Sequence, residues 1–203
     1  MRISLFAGGF LSLLLILTGC GNHKENQKPL QESYPVPRIM VVGGGEFPEY
    51  MVGDWQCHTE PWVIHFDKNG SLSWLVHPVG GVMQTAEGGS FEEATRGDQK
   101  ATFFAALGPI SGQYDPATHI LKLSIALDRY EMVLPEGSLE GKVLDEFTGT
   151  VDPEKGQWQV SHISIGWLEG ADSPDEEALR ANPDQLLFVK EKFVPAPAPP
   201  AQP

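Results

Sequence analysis

Between residues 49 and 194 the apolar side chains recur mostly at every second position. Trp55 and Cys57 share one face of a short segment, Trp62, Ile64 and Phe66 share another, and Leu72, Trp74 and Val76 a third. Further on, Leu121, Leu123, Ile125 and Leu127 alternate with Lys122, Ser124 and Ala126, and Tyr130, Met132 and Leu134 alternate with Arg129 and Glu131. Leu139, Val143, Phe147 and Val151 lie opposite Glu140, Lys142, Glu146 and Thr148. A period of two with one apolar face predicts strands half-buried in an antiparallel sheet. Residues 157–165 and 186–194 supply two more. In the former the apolar phase changes between Val160 and Ile163, which predicts a bulge.

The breaks between these segments carry turn chemistry. Asp67-Lys68-Asn69-Gly70 places Asn-Gly where a tight hairpin needs positive φ, and Asp115-Pro116 and Asp152-Pro153-Glu154-Lys155-Gly156 mark further turns. One helix is expected: Ser173-Pro174-Asp175-Glu176 offers an N-cap hydroxyl, a first-turn proline and a returning glutamate, and Asn182-Pro183 ends it. Residues 79–99, rich in glycine, read as a long loop with a hairpin. About nine strands in one modest domain predict an all-β fold, an antiparallel up-and-down barrel of eight to ten strands; a β-sandwich is the alternative. The domain is expected over residues 49–194. A polar, proline-bearing tether over 20–48 precedes it, and a Pro/Ala-rich disordered tail over 195–203 follows. Within the tether, Ile39-Met40-Val41-Val42 is apolar enough to add a short edge strand.

Ahead of all this, Arg2 begins an N-terminus whose apolar run spans Leu5 to Leu17. That is the layout of a secretory leader over residues 1–19, and too short for a helix that must cross about 20 residues of hydrocarbon. Its end, Leu17-Thr18-Gly19-Cys20, resembles the lipobox of bacterial lipoproteins. The resemblance implies cleavage before Cys20, diacylglycerol on its sulfur and acylation of the new amino terminus. Two or more chains hold stably to a membrane where one does not. Gly21 stands where the family's inner-membrane retention signal usually has Asp, so the resemblance implies an outer-membrane location in the cell envelope.

Charge and cysteine count narrow the partners. Loss of residues 1–19 removes one of the 14 basic residues and none of the 27 acidic ones, leaving a formal charge of −14. Such a surface repels phosphates, so nucleic acid is not an expected partner. With Cys20 acylated, only Cys57 remains as a thiol, which excludes an intrachain disulfide and any cysteine-based cluster.

At the start of the barrel, Gly53-Asp54-Trp55 resembles the Gly-x-Trp opening of lipocalin-like (calycin) barrels. In that family a short helical turn leads into the motif, the Trp plugs the closed end, and a basic residue of the last strand packs over it. The resemblance implies that Lys190 or Lys192 fills that role, where the family usually carries Arg, and that the open end binds a small apolar molecule. Asp128-Arg129-Tyr130 is a partial match to the family's middle motif.

Candidate chemistry is sparse. His58, His65 and His77 fall opposite Trp55, Trp62 and Trp74, so three imidazoles on one outer surface would suit zinc. Separate solvated histidines are the favoured reading, and no metal is expected. His119 and His162 read as turn and sheet-surface residues. Strict alternation aims Asp145 inward, where a carboxylate needs a partner or a watery lumen; a local bulge turning it outward is favoured. Trp62, Trp74 and Trp158, with Asp145, are the candidates to line a ligand site, while Trp55 belongs to the core. No nucleophile motif, phosphate loop or cofactor signature is present, and Cys57 is expected to face the core. The expectation is thus a lipid-anchored envelope protein whose barrel takes a small apolar ligand. A solidly packed barrel with a structural or protein-interaction role is the alternative.

Overall fold

In the computed structural model, residues 35–190 are described, apart from 79–80, 87–88, 97–98 and 135–136 and the side chains of 89–103 and 134. The leader, Cys20, Lys192 and the Pro/Ala tail lie outside the described residues. The chain is all-β with one short helix before its last strand. Eleven strands follow in order: β1 (Met40–Val41), β2 (Gly53–Cys57), β3 (Val63–Phe66), β4 (Leu72–His77), β5 (Gly81–Gln84) and β6 (Gly89–Arg96), then β7 (Gln99–Asp115), β8 (Ile120–Leu134), β9 (Gly137–Asp152), β10 (Gln157–Leu168) and β11 (Asp184–Lys190). Helix α1 (Glu176–Ala181) lies between β10 and β11. From β2 to β11 each strand pairs antiparallel with its neighbours in sequence, and β11 pairs back to β2 through Phe188↔Cys57 and Lys190↔Trp55. The ring is thinnest between β5 and β6, where Gln84↔Gly89 is the pairing.

The alternation holds on β8 and β9, where Leu121, Leu123, Ile125, Phe147 and Val151 all enter the core. The two patterns at 121–127 and 130–134 belong to one strand, β8, whose register slips between Leu127 and Tyr130. Residues 79–99, expected as a long loop with a hairpin, carry the antiparallel strands β5 and β6, so more of the stretch is strand than expected. The long β7 escapes the two-residue spacing because Gly108-Pro109 sits at its register shift between Leu107 and Ile110.

Two corrections concern phase. At the β3–β4 hairpin, Gly70 has φ +78 but Asn69 does not adopt positive φ, and the register shifts between His65 and Phe66. This irregularity lets both Leu72 and Leu75 turn inward, so His77 points in and Trp74 and Val76 point out. On β10 the register with β9 runs unbroken from Gln157↔Asp152 to Leu168↔Gly141. The expected bulge is absent there; the phase looked broken because His162, a polar residue, occupies an inward position after Trp158 and Val160.

The tether boundary also moves. Ile39 and Phe47 are buried in the main core, so the folded unit begins well before residue 49. The β1 segment bonds the β4 side through Ile39 N to Gly70 O at 2.9 Å and the Arg38↔Ser71 bridge. On its other side β1 runs parallel to β7, Met40↔Gln113 and Val41↔Tyr114. It therefore patches the wall where β6, which pairs with β7 only as far as Ala106, leaves a gap. The Ile39 side chain occupies the space that a Cβ on Gly112 would need.

The helix starts two residues later than expected. Asp175, not Ser173, is its N-cap, accepting from Ala178 N at 3.0 Å, and Asn182 caps the other end by donating to Ala178 O.

Two packing tests follow. Ile39→Ala should lower unfolding free energy by about 2–4 kcal/mol, because a buried branched side chain is lost from a close-packed wall. A methyl on Gly149 would fall on the Gln159 carbonyl oxygen, whereas one on Gly166 meets nothing within 4 Å. Gly149→Ala should therefore cost at least about 1–3 kcal/mol and Gly166→Ala close to none, both read by urea denaturation.

Candidate functional site

At the end where β2 begins, the barrel is shut. A 3-10 turn over Glu49–Met51 leads into Gly53, whose φ of +115 suits glycine. The Trp55 indole Nε1 donates to Met51 O at 2.8 Å. Lys190 Nζ donates to Tyr50 O at 3.0 Å and packs its Cε beside Gly53. Beside this turn the Tyr50 and Tyr114 hydroxyls bond each other and share His119 Nδ1, at 3.2 and 2.8 Å. Burial, and then the Tyr50 hydrogen bond, push the Tyr114 phenol well above its ordinary range. His119 closes the β7–β8 turn at φ +57.

Above the closed end the interior is filled. Phe147 meets Trp62 edge-on at 5.0 Å, and Trp158 and Phe188 pack at 5.0 Å. Trp158 is fully buried, and its indole N–H has no partner among the described residues. Two of the expected ligand-lining residues, Trp62 and Trp158, are therefore core. Trp74 lies on the outer face, stacked on His65 at 5.2 Å and 17°.

The next layer is polar. Asp145 (1% exposed) sits inside, with His77 (3%) and His162 (7%) on either side of its carboxylate. His77 Nε2 bonds Oδ2 and His162 Nε2 bonds Oδ1, both at 3.0 Å. The favoured outward bulge at Asp145 and the surface reading of His162 are thus overturned, and alternation alone gave the right direction for Asp145. Burial by itself would raise the Asp145 carboxyl. The hydrogen bonds from His162 and His77, with their coulombic attraction, outweigh it and hold the carboxyl below its usual range. Each imidazole takes a separate oxygen. Among the described residues no group of three His, Cys, Asp or Glu side chains is arranged to hold a metal ion. The zinc arrangement also fails on geometry, since His77 is inside, His65 bonds Asp54 at 2.5 Å on the outer face, and His58 is exposed.

Beyond this layer the barrel opens into a cleft of about 440 Å³ at the end away from Trp55. One wall is Tyr130 of β8 with Ser164, Gly166 and Leu168 of β10; the other is Pro174, Asp175, Ala178 and Leu179 of the helical segment. The helix can stand there because β11 pairs with β10 only as far as His162↔Asp184, leaving residues 163–168 without a strand on that side. Arg180 ties the helix to Glu146 of β9 and also pairs with Glu176 one turn back in the same helix. Ser164 is the cross-strand partner of Asp145, so the polar layer lies at the depth where the cleft ends. Sequence reasoning did not single out Tyr130, Ser164, Leu168 or Leu179 as a site. They converge only through the β8 register slip and the helix position.

No family model matches this chain, and neither a curated protein nor a solved structure matches it.

The polar layer makes a pH-linked prediction. A carboxyl whose folded value is depressed adds stability above its unfolded value, and that stability is lost as pH falls through the folded value. Unfolding free energy should therefore decline as pH drops below about 4, the unfolded carboxylate range. Asp145→Ala should lose about 3–5 kcal/mol at pH 7, because two buried imidazoles lose their partner, and should flatten that acid decline. Chemical denaturation across pH 2.5 to 7 measures both (roughly the span over which a carboxyl titrates).

Proposed function

We propose that this chain is a lipid-anchored protein of the bacterial cell envelope whose barrel binds a small apolar molecule at its open end. The Leu17-Thr18-Gly19-Cys20 junction supports the anchor, with acyl chains on Cys20 as the membrane contact. The single observation that carries the ligand reading is the cleft at the mouth. Its volume falls within the range typical of small-molecule sites, and Leu168, Leu179, Ala178 and Pro174 make it largely apolar. The packed aromatic interior confines a ligand to this mouth, above Asp145, and does not admit it to the depth of Trp158. That same filled interior favours a second reading, a structural or protein-interaction lipoprotein that carries no ligand.

Titration of the neutral apolar fluorophore N-phenyl-1-naphthylamine into the full mature chain separates the two. Saturable enhancement is expected, weakened about tenfold in Leu179→Asp, which places a charge in the apolar wall while altering a helix that buries none of its residues. Linear, unsaturable enhancement, or no effect of the substitution, overturns the ligand reading. For the anchor, Cys20→Ser should leave an unprocessed, unacylated precursor by mass spectrometry; a normally processed product overturns it.

A further inference from the structure

Several inward hydroxyls of this fold have protein partners. Tyr50 and Tyr114 bond each other and His119, and Thr85 Oγ1 donates to Leu72 O at 2.6 Å. The cleft breaks that pattern. Tyr130 and Ser164 both line it, and neither hydroxyl bonds a described residue. A hydroxyl turned into a mainly apolar cleft without a protein partner is a donor and acceptor offered to whatever enters. Burial pushes the Tyr130 phenol up, so it stays protonated and able to donate.

The electrostatics then restrict the head group. Among the described residues no Lys or Arg lines the cleft. Two carboxylates do bear on it: Asp145 beneath Ser164, kept ionised by its imidazoles, and Asp175 at the rim, capping the helix. The nearest helical cation, Arg180, is committed to Glu146 and Glu176. An anionic head would be desolvated beside the Asp175 carboxylate, with no Lys or Arg among the described lining residues to meet it. Both carboxylates already accept hydrogen bonds from protein groups, the imidazoles in one case and Ala178 N in the other.

We propose that the cleft selects an amphipathic molecule with an uncharged hydroxyl or amide head, held by the Tyr130 and Ser164 hydroxyls, and rejects the matching carboxylate. The alkyl body lies along Leu168 and Leu179. This inference rests on the ligand-binding reading of the same cleft. A hydroxyl head both donates and accepts, which is what a hydroxyl on the cleft wall can reciprocate.

The test is displacement of N-phenyl-1-naphthylamine from the full mature chain at neutral pH by 1-decanol and by decanoate. Decanol is expected to displace the probe at a concentration at least about tenfold lower than decanoate. In Tyr130→Phe/Ser164→Ala, decanol should weaken about tenfold relative to the probe, whose continued saturable binding reports that the site is folded. Ser164→Ala alone should give part of that loss. Equal or tighter binding of decanoate overturns the inference, as does a double variant that leaves decanol unaffected while the probe still binds. Failure of the probe itself to bind saturably is a different result: it removes the ligand-binding reading, and this inference with it.

Discussion

A carboxylate inside an apolar barrel has to be met by donors, and Asp145 is met from two sides. His162 belongs to the adjacent strand, but His77 comes from β4, separated from β10 in the ring by β11, β2 and β3. The Asp145–His77 bond therefore spans the interior and ties walls that share no ladder. It also decides orientation. With His77 committed inward, Trp74 must face out, where it stacks on His65. Without either imidazole the charge would be buried and unpaired, which is far costlier than any surface pair.

This polar layer divides the interior in two. Toward Trp55 lie Trp62, Phe147, Trp158 and Phe188, packed ring against ring. On the other side the long strands β8, β9 and β10 continue past the short β2 and β3, and the helical segment stands opposite the inner faces of Tyr130, Ser164 and Leu168. A cleft follows from unequal strand lengths rather than from hollowing a core. The helix stands where β10 lacks a strand neighbour, anchored by Arg180, and its position sets the second wall of the cleft.

The N-terminal approach to the barrel is structural as well. Pro37 to Val42 runs between the β4 hairpin and the end of β7 and hydrogen-bonds both. The chain that would lead back to Cys20 thus leaves from the wall of the barrel and not from a loose linker at residue 48. Ile39 and Phe47 make that junction part of the core, so strain on the segment acts directly on the fold.

The sequence alone determined the elements that depend on neighbours a few residues away. The two-residue alternation of β8 and β9 is legible because one face is buried against a common core, and the helix is legible because its caps are local. Alternation even aimed Asp145 inward; what it lacked was a reason for a carboxylate to be there. The rest was settled by contacts between residues far apart in the chain. His77 and His162 are polar residues at core positions, so each reads as a surface position until the partner 68 or 17 residues away is in place. The irregularity opposite His65, the patching of the wall by Ile39 and the meeting of Tyr130, Ser164 and Leu179 at the mouth share this property. Their energy lies in a pairing across the barrel, and hydrophobic periodicity records only which face of a strand is greasy.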